Sequence, residues 1–354
     1  MVYIENLAFF LIGFALVLTS FQFINRDEWW IRISDFVHVQ LTVMSLVSWV
    51  TLAVFFEYDL VNLIFIFVGI ALFILHLVVI IPYTPIYRTQ SKNSKQKDPD
   101  KMISVLESNI LQYNRKYDLF LDMVNRESPD IVVAIETDKE WQEALDVLEE
   151  DYKHTIKYAQ DNTYGLLLYS RLPLRDSHIE FLVEDDVPSF RTRVTLRSGQ
   201  EVILHVLHPK PPSPTENYLS LERDAELIIA GRIIADLNEP VILAGDLNDV
   251  AWSHTSRLFN RISGLLDPRI GRGFFNTFHT KYALMRWPLD HVFHSNHFLL
   301  GKIRRMESVG SDHFPMYIEL YLEGILGKKI NEETDDVSES DEVEIEDKLD
   351  RLEE

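Results

Sequence analysis

Acids, amides and histidines stand at the ends of apolar segments in the second half of this 354-residue chain. Each comes where a run such as IVVAI or VILAG stops, or just before one begins. Asp and Asn at such points are common in turns and helix caps, so any one of these residues, taken singly, is more often structural than catalytic. The eight candidates are Asn109, Glu136, His208, Asp246, Asn248, Asp290, Asp312 and His313.

Taken together, the eight side chains suit one kind of chemistry. Strands of a sheet place their ends along common edges, so several polar ends can converge on one cleft. Asp, Glu and Asn supply the hard oxygen ligands that Mg²⁺ prefers, with Mn²⁺ as an alternative. Carboxylates, amides and histidines around such an ion are what hydrolysis of a phosphate ester requires, because the cation offsets phosphoryl charge and an Asp aligns or deprotonates water.

Other chemistries lack their signatures. The chain has no cysteine, which excludes disulfides and thiolate chemistry and, with only scattered histidines, disfavours a zinc cage. It has no GxxxxGK[ST] loop and no GxSxG elbow, so the sequence does not indicate a P-loop nucleotide triphosphatase or a serine hydrolase.

The elements that would position these residues alternate between strands and helices. MISVLESNI, IVVAIET, YGLLLYSRLPL, PVILAGDLND and HFPMYIELYLE read as strands, and RTRVTLRSGQEVILHVLHP reads as two strands joined by a Ser-Gly turn. RKYDLFLDMVNRESPD, EWQEALDVLEEDY and residues 215–237 have helical periodicity. The pattern predicts a layered α/β domain with sheets inside and helices outside.

The N-terminal part predicts a membrane region. Three stretches without a charged residue, Asn6–Asn25, Phe36–Phe56 and Leu60–Tyr87, are each long enough to cross a hydrocarbon core as a helix. The first lacks the basic segment and cleavage site of a secretory signal. His38 and His76 lie within the second and third stretches, and we interpret them as neutral histidines hydrogen-bonded between helices rather than as functional groups.

The chain therefore divides into a three-helix transmembrane region (1–87), a polar linker (88–101), the α/β domain (102–325) and an acidic tail (326–354). From residue 331 onwards, 13 acids stand against Lys348 and Arg351, so the tail is predicted to be disordered. Its simplest role is solubility, with contact to a basic partner as the alternative.

Motifs in a fixed order from about residue 103 to 322 resemble the endonuclease/exonuclease/phosphatase superfamily, which contains DNase I, apurinic endonucleases and inositol-phosphate phosphatases. They are SNILQYN, PDIVVAIET, YGLLLYSRLPL, LHVLHPKPP, ILAGDLND, PLDHVF and GSDHFP. GDLN followed by SDH is the most specific part. The resemblance implies a four-layered α/β sandwich of two packed mixed sheets flanked by helices.

On the metal side, the resemblance implies that Glu136 is the main ligand, with Asn109 beside it and Asp312 as a further ligand to the metal or its water. One position departs from the pattern. Leu111 stands where some nucleases carry a second polar ligand, which puts a nuclease-like metal shell in doubt.

On the phosphate side, the resemblance implies that Asp246 orients the nucleophilic water and Asn248 binds a phosphoryl oxygen. His313 would hydrogen-bond the scissile phosphate, held and kept cationic by Asp290, since a carboxylate beside a histidine raises its pKa and fixes its orientation. His208 falls at the position of a second phosphate-facing histidine.

The layout and the segments HPKPPSP, GDLNDVAWS and GRGFFNTF resemble a narrower, bacterial membrane-bound branch that includes teicoplanin-resistance-type proteins. That branch implies an inner-membrane enzyme facing outward, acting on lipid-linked phosphates of envelope synthesis. The distribution of Lys and Arg instead favours a cytoplasmic domain. We predict the extracytoplasmic side.

Charge bears on the substrate. Residues 101–330 carry 26 basic and 34 acidic residues, whereas a protein that engages duplex DNA generally needs a basic face. The predicted function is Mg²⁺-dependent hydrolysis of a phosphodiester, phosphomonoester or pyrophosphate on a membrane-associated substrate. The alternatives are a metal-dependent nuclease and a non-catalytic membrane scaffold. Arg191 and Arg193 are assigned either to substrate phosphate or to surface salt bridges.

Overall fold

The computed structural model describes residues 1–24, 26–332 and 334–353. Asn25, which ends the first predicted apolar stretch, and Glu333 and Glu354, which belong to the predicted acidic tail, lie outside the described residues.

The N-terminal region contains four helices: α1 (Val2–Phe21), α2 (Trp29–Phe36), α3 (His38–Phe55) and α4 (Leu60–Ile80). The three longer ones, α1, α3 and α4, are long and apolar enough to cross a membrane, as the charge-free stretches predict. The short helix α2, which the sequence did not indicate, lies between α1 and α3.

The two histidines of this region bond to each other. Nδ1 of His76 lies 2.9 Å from Nδ1 of His38, and Nε2 of His76 lies 2.9 Å from Oγ1 of Thr19 on α1. The three side chains therefore satisfy one another between the helices. This is the hydrogen-bonded arrangement that we expected for His38 and His76.

The rest of the chain forms strands and helices in alternation. In order they are β1 (Met102–Asn109), α5 (Tyr117–Glu127), β2 (Ile131–Ile135), α6 (Lys139–Leu145), β3 (His154–Tyr158), β4 (Leu166–Ser170), β5 (Leu174–Glu180), β6 (Ser189–Thr195), β7 (Glu201–Val206), α7 (Leu221–Ala235), β8 (Val241–Asp246), α8 (His254–Ser263), β9 (Asp290–His294), β10 (Phe298–Arg305), β11 (Met316–Leu322), α9 (Ile325–Ile330) and α10 (Glu339–Glu353).

The strands form two sheets packed face to face. One sheet has the order β10-β11-β1-β2-β4-β3 and the other β5-β6-β7-β8-β9. Alternate residues of each strand point to opposite faces. Val105 of β1 and Leu204 of β7 therefore belong to the core between the sheets, while Leu106 packs outward against α5 and α6. Helices α7 and α8 cover the second sheet. The predicted α/β sandwich of two mixed sheets with helices on both outer faces is confirmed.

The mixed pairing brings specific strand ends together. In the first sheet β1 runs parallel to β2 and antiparallel to β11, so the C-terminal ends of β1 and β2 lie beside the approach to β11. In the second sheet β7 runs parallel to β8, and β8 pairs antiparallel with β9. The ends of β1 and β2 and the beginning of β11 therefore meet at one edge of the first sheet. The ends of β7 and β8 and the beginning of β9 meet at one edge of the second.

The structure differs in three places from the secondary structure and linker predicted from the sequence. The helix expected over residues 215–237 begins at Leu221, because the residues before it bond to the segment between α1 and α2. The Ser220 amide donates to the Asp27 carbonyl (2.7 Å), and the Trp29 amide donates to the Tyr218 carbonyl (3.1 Å). Helix α8 lies in a region where the sequence pattern did not indicate a helix. The linker 88–101 runs along the sandwich, where the Ser94 amide donates to the Leu300 carbonyl (2.8 Å).

The predicted disorder of the acidic tail is corrected by the structure, which places helices α9 and α10 there. Ile345 is only 2% exposed and packs with Ile228 of α7 and Leu258 of α8. The net charge of the segment hid this face, because Ile345, Leu349 and Leu352 recur at helical spacing among the acids.

A buried ion cluster fixes α10 to the rest of the molecule. Nζ of Lys348, which is 2% exposed, donates to Oδ1 of Asp27 (2.9 Å) and Oδ2 of Asp224 (2.8 Å). Burial alone would lower the pKa of Lys348, but the two carboxylates outweigh burial and raise it, so the ammonium stays charged. The cluster joins the segment after α1, the N-terminal turn of α7 and the C-terminal helix.

Replacing Lys348 should therefore destabilise the protein. Lys348→Met leaves two buried carboxylates without their shared cation, and we expect it to lower the free energy of unfolding by about 3 kcal/mol. The measurement is denaturation of the full-length protein in detergent, with Lys329→Met as the exposed control in the same tail. Equal stability of the two variants would contradict the assigned role of the cluster.

Candidate active site

Asn109 joins the two sheets at the site. It is the last residue of β1, Glu136 follows β2 directly, and Asp246 ends β8. The Asn109 amide Nδ2 donates to Oε1 of Glu136 (2.7 Å) and to Oδ2 of Asp246 (3.0 Å). One buried amide thus holds a carboxylate from each sheet, and the predicted convergence of these three side chains is observed.

Three residues around this amide have left-handed backbone conformations: Leu111 (φ 59°), Glu136 (φ 61°) and Asn248 (φ 52°). Non-glycine residues in this region are uncommon and cluster at functional sites. Two of them aim their amides at the site, since Leu111 N donates to Oδ1 of Asn109 and Asn248 N donates to Oδ1 of Asp246, both at 3.0 Å. Leu111, which departs from the family pattern as a side chain, orients Asn109 through its backbone.

The backbone around Gly245 shows why the GDLN motif requires a glycine. A Cβ at this position would lie 1.9 Å from the carbonyl oxygen of Leu207. Only glycine permits this approach. It lets the end of β7 lie against the end of β8, and so brings His208 into the same cleft as Asp246.

His313 is held between two carboxylates. Its Nδ1 lies 2.8 Å from Oδ2 of Asp290, the first residue of β9, and its Nε2 lies 3.6 Å from Oδ2 of Asp246. Burial alone would lower the pKa of His313, but Asp290 and Asp246 outweigh it and raise the pKa to about 10. The imidazole is therefore an imidazolium at neutral pH, and Asp290 is its direct hydrogen-bond partner, as predicted.

The carboxylates fit a divalent cation. Ligand atoms of Asp246, Asp290 and His313 lie within 4.8 Å of one another, a spacing that could hold a metal. A protonated His313 has no lone pair for a metal, so the carboxylate oxygens would be the ligands rather than the histidine nitrogen. Burial raises the pKa of Glu136 and of Asp246 to about 7. Buried acids with raised pKa values favour a bound cation, which would restore their charged forms.

A cleft of about 320 Å³ opens over these groups. Six of the eight predicted residues line it: Glu136, His208, Asp246, Asn248, Asp312 and His313. The other two, Asn109 and Asp290, lie beneath the lining and contact it through the hydrogen bonds already described. Tyr164 and Glu216 contribute to one wall, and Phe36, Phe278 and Leu289 form an apolar wall that the sequence did not indicate.

His208 differs from His313 in charge. It is buried, its ring lies 5.1 Å from that of Tyr164, and its Nδ1 has no hydrogen-bond partner among the described residues. Burial, and then the neighbouring His313 cation, lower the pKa of His208 to about 3. The two histidines therefore offer the cleft one neutral and one cationic ring.

Glu107 is a buried carboxyl that sequence reasoning missed. It lies two residues before Asn109 on β1 and so points to the same face, next to Asp290 and Asp246. Burial, and then those two carboxylates, raise its pKa well above the usual range, which favours the uncharged acid. Both carboxyl oxygens of Glu107 and Oδ1 of Asp290 have no hydrogen-bond partner among the described residues, so a proton shared between the two groups would satisfy both. The available signal was an acid in the interior of the strand-like run ISVLES.

Arg191 and Arg193 do not reach the cleft. Arg191 Nη2 lies 2.6 Å from Oε1 of Glu180, and Arg193 pairs with Glu239. The salt-bridge alternative for these two arginines is therefore the one that the structure supports. Another arginine, the buried Arg223, supports the site from behind by donating to the carbonyl oxygen of Asn248 (2.9 Å).

Comparison with known proteins agrees with this geometry. The sequence profile of the Endonuclease/Exonuclease/phosphatase family matches residues 102–313. The chain therefore belongs to this family, whose members are metal-dependent phosphoesterases or nucleases. No curated protein sequence matches the chain. The narrower bacterial branch stays a prediction.

Solved structures share the fold. D. rerio TDP2 complexed with a single-strand DNA product is 17% identical, with 62% of this chain and 99% of that chain covered and a TM-score of 0.52. A family protein from Bacteroides thetaiotaomicron is 18% identical (62% and 98% covered, TM-score 0.50). The human Nocturnin catalytic domain with bound sulfate is also 18% identical (63% and 95% covered, TM-score 0.50). At these identities the likeness concerns the fold alone.

The Asp290–His313 contact predicts a pH dependence. Because the pKa of His313 is raised from 6.5 to about 10, its charge stabilises the fold fully below pH 6.5, and that contribution is lost as the pH rises towards about 10. Asp290→Asn removes the strongest attraction, so the pKa of His313 should fall. The alkaline limb of hydrolysis of a soluble phosphodiester should then move to lower pH.

The pH–rate profile of the full-length protein checks this outcome. The control is Asp186→Asn, which removes a surface carboxylate paired with Lys210 (2.9 Å). An alkaline limb at the same pH in Asp290→Asn and wild type would show that Asp290 does not set the charge of His313.

Proposed function

We propose that the protein is a membrane-anchored, Mg²⁺-dependent hydrolase of phosphate esters that acts on a lipid-linked phosphate or pyrophosphate. The observation that carries the proposal is the convergence of Glu136, Asp246 and Asp312 on one cleft with the imidazolium of His313. Oxygen ligands for a hard cation and a buried cationic donor for a phosphoryl oxygen are the two requirements of phosphate-ester hydrolysis.

The side chains divide the work. Glu136, with Asn109 and Asp312 beside it, would hold the cation, and Mg²⁺ when bound supplies charge neutralisation of the phosphoryl oxygens. Asp246, fixed by Asn109 and by the Asn248 amide, is placed to orient the attacking water. His313 donates to the scissile phosphate, because its other nitrogen is occupied by Asp290.

The neutral side of the cleft completes the phosphate site. Uncharged His208 can donate one hydrogen bond without adding charge. The Asn248 side chain lines the cleft beside it, with its Nδ2 donating to the Pro209 carbonyl (2.9 Å), which fixes the amide plane. Both are preorganised donors of the kind that stabilise developing charge.

The membrane region favours a lipid-linked substrate. Three helices suited to a bilayer precede the α/β domain, which would confine the cleft near a lipid surface. The excess of acids in residues 101–330 disfavours duplex DNA. An extracytoplasmic domain in a bacterial inner membrane stays a prediction.

A nuclease is the second candidate. It is favoured by one observation, the shared fold of D. rerio TDP2, which carries a DNA product in its structure. A single strand enters a narrower site than a duplex does, so the test must include single-stranded DNA.

Metal-dependent activity of the full-length protein tests the proposal. Reconstituted protein should release phosphate from a polyprenyl pyrophosphate in the presence of Mg²⁺ and lose this activity in a chelator. Asp246→Ala and His313→Ala should each lower kcat by at least about a hundredfold, since each removes a group that contacts the reacting phosphate or water. Glu180→Gln, a surface carboxylate, serves as the control.

The outcomes separate the candidates. Efficient cutting of single-stranded or plasmid DNA with no action on lipid phosphates would favour the nuclease. Absence of metal-dependent turnover on every phosphate ester would favour a non-catalytic scaffold, and turnover of any of them excludes it.

A further inference from the structure

A series of aromatic side chains leads from the cleft towards the apolar helices. The ring of Phe278 lies 4.9 Å from that of His313, Phe278 stacks on Trp287 at 6.4 Å, and Trp287 meets Phe36 edge to face at 5.8 Å. Phe36 ends α2 and is separated from the beginning of α3 by one residue, Val37. We call Phe278, Trp287 and Phe36 the aromatic path. It connects the phosphate-facing histidine with the beginning of a membrane-spanning helix.

The aromatic path belongs to a core shared by the two parts of the protein. Phe36, Phe278 and Trp287 pack in one apolar cluster with Leu77 and Ile80 from the end of α4. The apolar wall of the cleft and the C-terminal end of α4 therefore belong to one packed apolar cluster.

An exposed apolar loop lies beside the N-terminal end of α3. Leu284 is 88% exposed and Met285 is 55% exposed, and the two form the tip of the loop before Trp287. Gln40, the third residue of α3, donates through Nε2 to the Leu284 carbonyl (3.0 Å). The tip is thus fixed at the N-terminal end of α3, a helix suited to the bilayer, where exposed apolar side chains are expected to contact lipid.

The basic residues beside the tip and the volume of the cleft are both compatible with a phosphorylated lipid. Lys281 and Arg286 flank the tip, and basic residues at a membrane surface favour anionic headgroups. The cleft, at about 320 Å³, is at the lower end of the volumes that enclose a small ligand. It can enclose a phosphorylated headgroup, while a long hydrocarbon chain must leave it along a wall.

We propose that the aromatic path and the Leu284–Met285 tip hold the hydrocarbon chain of the substrate while its phosphate group occupies the cleft. This inference rests on the proposed function and adds the surface that selects for a chain. The occupant is a hydrocarbon chain that extends from the bilayer, because the aromatic path begins beside the N-terminal end of α3 and ends at His313.

The test compares two substrates that share a headgroup. Full-length protein in lipid nanodiscs is assayed with a long-chain polyprenyl pyrophosphate and with its single-isoprene counterpart. The wild type should prefer the long chain in kcat/KM. The double variant Leu284→Ser, Met285→Ser should reduce the long-to-short ratio by about tenfold, since two apolar side chains lose their contact with the chain.

The variants are chosen so that folding does not confuse the result. Both tip side chains are exposed, and the Gln40 bond goes to the Leu284 backbone, which the substitution keeps. The matched control is Val147→Ser, which changes an apolar residue that is 57% exposed in the helical turn after α6 and should keep the wild-type ratio.

The outcomes distinguish this inference from the proposed function. Equal hydrolysis of the two substrates by the wild type, or an unchanged ratio in the double variant, overturns the chain-binding surface and leaves phosphate-ester hydrolysis standing. Absence of metal-dependent hydrolysis of both substrates overturns the proposed function and the inference with it.

Discussion

The burial of several carboxylates around a single cationic side chain is the constraint on which the rest of the structure depends. Glu136, Asp246 and Asp290 lie at the meeting of two sheets with only His313 as an opposing charge among the site residues described. Such a cluster is unfavourable unless protons, hydrogen-bond donors or a cation compensate it. The structure supplies a hydrogen-bond donor through the amide of Asn109, and the raised pKa of Glu107 favours a proton on that carboxyl. The cleft leaves room for a cation.

The backbone bears the strain of this arrangement. Leu111, Glu136 and Asn248 adopt left-handed conformations, and Gly245 allows two strand ends to approach more closely than any side chain would permit. The core between the sheets opposes this strain, since residues such as Val105 and Leu204 are fully buried there. The buried Lys348 cluster and the apolar cluster at the end of α4 join the sandwich to the N-terminal helices.

Much of the site was accessible from the sequence because its residues end strands. Asn109, Glu136 and Asp246 each stand where an apolar run stops. The parallel pairing of β1 and β2 brings the first two to one edge, and the packing of the two sheets places Asp246 beside them. Glu107 escaped notice because an acid within a strand carries no signal of which buried neighbours it meets. Phe36 escaped because its place in the cleft depends on how the apolar N-terminal helices pack on the sandwich, which no local pattern records.

The tail shows the limit of composition as a guide. Its excess of acids indicated disorder, yet Ile345 and Lys348 give α10 one face that fits α7 and α8. Charge summed over a segment does not report which side chains share a helical face.

Cation binding tests the central claim most directly, independently of any substrate. Electron paramagnetic resonance of Mn²⁺ titrated into the full-length protein should show a bound ion that Mg²⁺ displaces. Glu136→Gln should weaken it by at least about tenfold, while the surface variant Glu180→Gln should bind as the wild type does. Binding of equal strength in Glu136→Gln and wild type, or none in the wild type, would contradict the view that these buried carboxylates are arranged around a divalent cation.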